Sequence, residues 1–136
     1  MNEALSEYAF TVHLDVPYED ALERTRAALK AQGFGVVTEI DMRETMRQKL
    51  DVDFRQYAIL GACNPQLAIK ALSSEPQVGL LLPCNVIVYA DEQGSGSTVS
   101  VVDPLGMLGD IDSADLRAVA DEAHGRLSNV AEALAA

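Results

Sequence analysis

Between Tyr8 and Val16, large apolar side chains occupy every second residue, Tyr8, Phe10, Val12, Leu14 and Val16, with Thr11, His13 and Asp15 between them. A period of two puts one face of a strand against a core and the other against water, so the chain starts as part of a half-buried sheet. Pro17 ends that strand. Ala21, Leu22, Thr25, Ala28 and Leu29 then recur at helical spacing, with Glu19, Asp20 and Glu23 near the positive end of the helix dipole. Gly33 stops the helix by taking the left-handed conformation, and Phe34 follows as the apolar contact that folds back. Burying Leu22, Leu29 and Phe34 is worth roughly 1.5 to 3 kcal/mol each before entropy.

Val36, Val37 and Ile40 mark a second strand, and Asp41 with Glu44 caps a short charged helix from Met42 to Leu50. Its Met42, Met46 and Leu50 stripe reads most simply as core filler. A third strand runs from Tyr57 to Ala62, and Gly61 within it hints at a bend or the close approach of another group. Asn64 and Pro65 open a helix through Leu67, Ala68, Ala71 and Leu72 that ends before Pro76. Gly79 to Leu82 is too apolar for a solvated loop. Cys84 to Ala90 and Thr98 to Asp103 pair as a hairpin across Gln93-Gly94-Ser95-Gly96. The stretch from Asp103 to Gly109 is apolar enough to pack. Asp112 or Ser113 caps a last helix with the stripe Leu116, Val119, Ala120, Ala123, Leu127, Val130 and Leu134. The expected fold class is α+β, two-layer: a single twisted sheet of about five strands with helices mainly on one face.

A chain of 136 residues, 49% hydrophobic, suits a single domain over residues 1–136. No apolar run reaches the ~18 residues of a membrane span, and acids occupy the N-terminal stretch, so the expected location is cytoplasmic. Ten basic against 21 acidic residues give a net charge of minus 11, which disfavours nucleic acid and anionic membrane as partners.

Two cysteines remain, in Cys63-Asn64-Pro65 and Pro83-Cys84-Asn85, each at the end of an apolar run. In a cytosolic chain they read as thiols, ligands or redox groups before a permanent staple. Together, Tyr57-Ala-Ile-Leu-Gly-Ala-Cys-Asn-Pro65, Leu80-Leu-Leu-Pro-Cys-Asn-Val-Ile-Val-Tyr89 and the upstream Gly33-Phe34 resemble the domain of unknown function 302 family, from about residue 8 onward. The resemblance implies a TATA-binding-protein-like two-layer α+β fold and a homodimer. It implies no established activity and supplies no catalytic residue. Fold likeness carries no DNA binding, and the charge has the wrong sign for it.

Cys63 stands just outside a helix N-terminus, where the dipole favours thiolate, and the same position also suits a thiol that merely packs. Cys84 joins Cys63 if strands three and four run parallel and bring their ends together. Adjacent sulfurs allow a reversible disulfide, a two-thiolate site for Cu(I) or Zn(II) with a thioether from Met107 or Met46, or two inert thiols. No CxxC is present, His13 lies on a polar face and His124 beside an apolar stripe, so closed structural zinc lacks ligands. No nucleophile elbow, phosphate loop or metalloprotease signature occurs. Thiol chemistry through Cys63, with Asn64 or Asn85 serving an oxyanion, lacks a base. The reading is a binding module with a site at Cys63, Asn64, Cys84 and Asn85, closed by Met107 or the loop around it. The rivals are a thiol-dependent redox protein or enzyme using Cys63 with Cys84, and a structural dimer with buried thiols.

Overall fold

A computed structural model describes residues 7–92, 95–108 and 110–136. Gln93 and Gly94 of the expected turn, and Gly109, lie outside the described residues. The elements run β1 (Ala9–Leu14), α1 (Tyr18–Ala31), β2 (Gly35–Asp41), α2 (Met42–Leu50), β3 (Tyr57–Cys63), α3 (Pro65–Ser74), a 3-10 helix (Pro76–Leu81), β4 (Cys84–Ala90), β5 (Ser97–Val102), α4 (Pro104–Leu108) and α5 (Ala114–Ala135). One five-stranded sheet has the order β1-β5-β4-β3-β2, and every neighbouring pair is antiparallel. The alternation read in β1 places Leu14 in the core, with Phe10 and Val12 packed against it. Among the described residues, no helix is long and apolar enough to cross a membrane.

The covered face of the sheet presents Leu60, Val86, Val88, Val99 and Val101, all fully buried, to Leu22 and Leu29 of α1 and Leu127 and Val130 of α5. A smaller second core joins Ala71 of α3, Val78 of the 3-10 helix, Leu108 of α4, and Leu116 and Ala120 of α5. Helix ends are closed by the residues that sequence chemistry indicates. Asp41, Asn64 and Ser113 accept hydrogen bonds from Glu44 N (3.0 Å), Leu67 N (3.2 Å) and Leu116 N (3.2 Å). Gly33 adopts φ 83°, and Phe34 N donates to Leu29 O at 2.9 Å, which seats the buried Phe34 ring beneath the end of α1.

Three expectations need correction. β3 and β4 are antiparallel, because α3 and the 3-10 helix run out and back instead of crossing the sheet, so β4 starts beside the end of β3. The Met42, Met46, Leu50 stripe fills no core: no residue of α2 is buried, and Leu50 is 66% exposed. That helix follows directly on the edge strand β2 and lies against β2 and β3 alone among the elements it chiefly touches. The stretch after Asp103 is helical from Pro104 to Leu108, with the Asp103 carboxylate accepting from Leu105 N at 3.0 Å.

Gly61 is a site of close approach. A Cβ there would collide with Thr38 Oγ1 and lie 2.7 Å from Pro83 Cγ. A hydroxyl can rotate away, whereas a proline ring has little freedom to move. Gly35, by contrast, has nothing within 4 Å of such a Cβ. Gly61→Ala is expected to destabilise the protein by about 1 to 3 kcal/mol, and Gly35→Ala by about 0.5 kcal/mol at most. Urea midpoints of the two variants measure the difference, and equal midpoints would remove the close-approach account.

Candidate functional site

The two cores do not fuse completely. Where they adjoin, a cavity of about 300 Å³ remains, bounded by the ends of β3 and β4, by α3, and by α4 and α5. Phe34, Ala62 and Leu67 reach it from the main core, Ala71 and Leu108 from the smaller one, and Val119 packs against both. The walls are hydrocarbon and sulfur with few polar atoms, and the size lies at the lower end of the ~300 to 1,000 Å³ typical of ligand pockets.

Local geometry explains which residues converge there. The register pairs Ala62 with Cys84, so both side chains point to the helix-covered face. Strict alternation would send Cys63 to the other face. But β3 ends at Cys63 and the chain turns through Asn64 into α3, so Cys63 also lines the cavity. In β2 the register shifts between Val36 and Thr38. This irregularity brings both Val37 and Thr38 to the cavity, with Val37 62% exposed at its mouth beside half-exposed Leu72.

Of the residues singled out from sequence, Cys63, Asn64 and Cys84 share this cavity. Asn85 does not. It pairs with Gly61 on the open face of the sheet and is exposed there, one residue and therefore one face away from Cys84. Met107 does not line the cavity either, being 36% exposed on α4, while Pro104 and Leu108 of that helix turn inward. Phe34, Thr38 and Val119 were not singled out for the site. The Gly33-Phe34 pair and the stripe of α5 carry a signal for two of them, whereas the register shift that brings Thr38 has none.

Asn64 is buried, and its carboxamide oxygen is engaged in the α3 cap. Its Nδ2 lies 3.0 Å from where a Cβ at Gly33 would stand, so the glycine that ends α1 also leaves room for this amide. The histidines lie elsewhere. His13 Nε2 is 3.2 Å from Asp91 at the β1–β5 side of the sheet. His124 Nδ1 is 2.8 Å from Asp103 Oδ1, and its ring is tilted against Phe10 at 5.3 Å. Because Asp103 also caps the start of α4, this contact anchors the helix whose Pro104 and Leu108 form one cavity wall. Among the described residues, no three His, Cys, Asp or Glu side chains gather as a metal-binding group.

Both cysteines are free thiols. Burial first, and the neighbouring Cys63 second, push the Cys84 thiol up to about 11, so at neutral pH it is protonated, a weak donor within an apolar wall. The raised value fixes the sign of its effect on stability. Its contribution is complete below the ordinary thiol value of 9.0 and is lost as pH rises toward 11, a loss of about 2 to 3 kcal/mol. Chemical denaturation of the wild type and Cys84→Ala at pH 8 and pH 11 should show the two stabilities converging with rising pH. Parallel declines would contradict the burial of this thiol.

Comparison with known proteins follows the same architecture. The crystal structure of an uncharacterized conserved DUF302 protein from Bacillus stearothermophilus superposes with a TM-score of 0.82 at 27% sequence identity, covering 94% of this chain and 98% of that one. No curated protein matches. Residues 10–134 match the model of the family described as "Domain of unknown function DUF302", and the chain belongs to that family.

Proposed function

We propose that this protein is a homodimeric binding module holding a small apolar molecule in the cavity between its two cores. The cavity itself is the observation that carries the reading: about 300 Å³ of space whose walls are mostly aliphatic side chains, Phe34 and two thiols, with Thr38 and Asn64 the polar members. At the ~30 Å³ that a water molecule occupies in the liquid, it accommodates roughly ten methylene-sized groups. Water gains little there, since it needs two to four polar partners, whereas hydrocarbon loses nothing by entering. The same environment speaks against the thiolate readings. A Cys84 thiol held protonated is a poor soft-metal ligand for Cu(I) or Zn(II) and a poor resolving partner for Cys63, because both roles need the thiolate.

A second surface supports the dimer. On the open face of the sheet, Ile40, Ile59 and Ile87 form one cross-strand row. In the next row Tyr57 stacks on Tyr89 at 5.3 Å, with Phe54 against Tyr57 and the Arg55 guanidinium 5.4 Å from the Tyr89 ring. Ile40, Leu50, Val52 and Phe54 are exposed. Asp41, Glu44, Asp51 and Asp53 are balanced by Arg43, Arg47, Lys49 and Arg55, so the net charge of minus 11 lies entirely outside the segment 41–55. Two copies of an acidic chain meet most favourably through such a neutral, aromatic region, in a self-complementary arrangement.

Calorimetric titration with n-alkanols tests the cavity. Affinity should rise about fourfold per added methylene, the equivalent of ~0.8 kcal/mol, and level off near ten carbons. Ala68→Phe, at a half-buried wall position, should abolish the gain for the longer chains. No alkanol binding at any length would overturn the proposal.

Sedimentation tests the dimer separately. The wild type should be dimeric at micromolar concentration, and Tyr89→Glu should weaken the association at least ~30-fold, the effect of losing an interface hot spot. A wild type that stays monomeric removes the dimer and leaves the cavity reading intact.

A further inference from the structure

A collar of aliphatic side chains surrounds the mouth of the apolar cavity. Val37 of β2, Leu72 of α3 and Leu82 after the 3-10 helix line the cavity and keep part of their surface in water. Ile69 lies one turn before Leu72 on α3 and is 63% exposed. A Cβ at Gly79 would stand 3.9 Å from Leu72 Cδ2, so the 3-10 helix runs against this turn of α3. Leu80, next to Gly79, is 82% exposed, more than any other large apolar side chain among the described residues. Single exposed leucines need no explanation, but aliphatic side chains from three elements gathered round one opening do.

Charge singles out the same region. Across residues 56–90 Lys70 and Glu75 are the only charged side chains, one of each sign, so the net charge of minus 11 lies outside this stretch. Around α3, Lys70 is about 100° from Ile69 and about 160° from Leu72, on the side that faces Asp115 of α5. The collar also lacks the residues that anchor protein interfaces. Hot spots there are rich in Trp, Tyr and Arg and poor in Leu and Val. Tyr57, Tyr89 and Arg55 have that character, at the other end of β3 and β4. Tyr57 and Ala62 are roughly 16 Å apart along β3, so dimerisation through the aromatic end leaves the collar open.

We infer that the collar docks on the surface of a zwitterionic lipid bilayer, and that the ligand of the cavity enters from the hydrocarbon beneath. This rests on the reading of the cavity as an apolar-ligand site and adds the partner that supplies it. An apolar molecule of roughly ten carbons is concentrated in hydrocarbon and scarce in water. A protein seated on the collar would seal the mouth, whereas a bilayer both covers the exposed aliphatic surface and delivers the ligand. Val, Ile and Leu gain by leaving water for the acyl boundary, and no cation is required for it. The excess of acidic residues then selects among lipids, because anionic headgroups repel the chain and zwitterionic ones do not.

Flotation of the full chain with phosphatidylcholine vesicles tests the docking, and calorimetric titration with 1-decanol in the absence of lipid tests the cavity by itself. The wild type should float with the vesicles, and replacing about a third of the lipid by phosphatidylglycerol should weaken binding. Leu80→Asp and Ile69→Asp should each weaken vesicle binding at least ~10-fold, the scale of one aliphatic side chain withdrawn from hydrocarbon. Both should bind decanol as the wild type does, since neither residue lines the cavity. Ala27→Asp, at an exposed position of α1, adds the same charge and should leave vesicle binding unchanged. If the wild type does not float, or if the two collar variants float as it does, the docking inference falls while decanol binding sustains the cavity reading. Tighter binding to the phosphatidylglycerol vesicles, or an equal loss in Ala27→Asp, also overturns it, since charge and not the collar would then govern. Self-association that Leu80→Asp weakens, with no vesicle binding, would make the collar a protein interface instead. Failure to bind decanol overturns the cavity reading, and the bilayer as its source of ligand, whatever the vesicles do.

Discussion

The last rung of the β3–β4 ladder, Ala62 opposite Cys84, is the constraint from which the site follows. Beyond that rung β3 hands over to Asn64 and Pro65, whose cap and fixed φ start α3 at once, while β4 begins directly after Pro83. With both strands stopping together, the sheet no longer supplies a floor to the helices above. α3, the 3-10 helix and α4 close over the gap as a separate small core, and the join between the cores is left unfilled. Gly61 lies one residue inside this rung, where Thr38 and Pro83 fold in on its missing side chain. A larger residue there would force apart the edge that defines the cavity mouth.

Charge and burial divide the molecule into regions with different tasks. Acidic side chains dominate the chain as a whole, yet the segment 41–55 around α2 is charge-balanced and rich in exposed hydrocarbon. The open sheet face has its own partition. Ile59, Ile87, Tyr57 and Tyr89 occupy the strands on the β2 side, while Ser100, Thr98, Thr11 and His13 occupy β5 and β1, with Thr11 and Ser100 hydroxyls 2.9 Å apart. An open antiparallel face is ordinarily polar. Here only half of it is, and Met42, Met46 and Leu50 of the α2 stripe, which fill no core within the chain, do not line the cavity either.

Much of this was legible in the sequence, and the failures have identifiable physics. The strand alternation, the caps at Asp41, Asn64 and Ser113, and the stop at Gly33 are local chemistry, and each forms where its residues indicate. The pairing direction of β3 and β4 is not local. It depends on whether the intervening chain crosses the sheet or doubles back, and the spacing of Cys63 and Cys84 suits either. A period of two by itself puts Asn85 on the opposite face from Cys84, away from the cavity. Met107 was misplaced because the segment read as a loop is helical, and one residue along a helix turns a side chain by about 100°. Thr38 reaches the cavity through a register shift in an edge strand, which no local sequence pattern marks.

Two cysteines lining one cavity invite a chemical reading, but burial decides their character first. Beside Cys63 the Asn64 oxygen already accepts from Leu67 N, and the cavity wall opposite is hydrocarbon. On the Cys84 side, desolvation outweighs any stabilisation of charge and holds the proton in place. A protonated thiol is a polarizable, weakly polar group that packs against hydrocarbon about as well as a small aliphatic side chain does. In this wall the sulfurs therefore extend the apolar lining to the sheet's edge, where larger side chains such as Leu or Phe would fill part of the cavity.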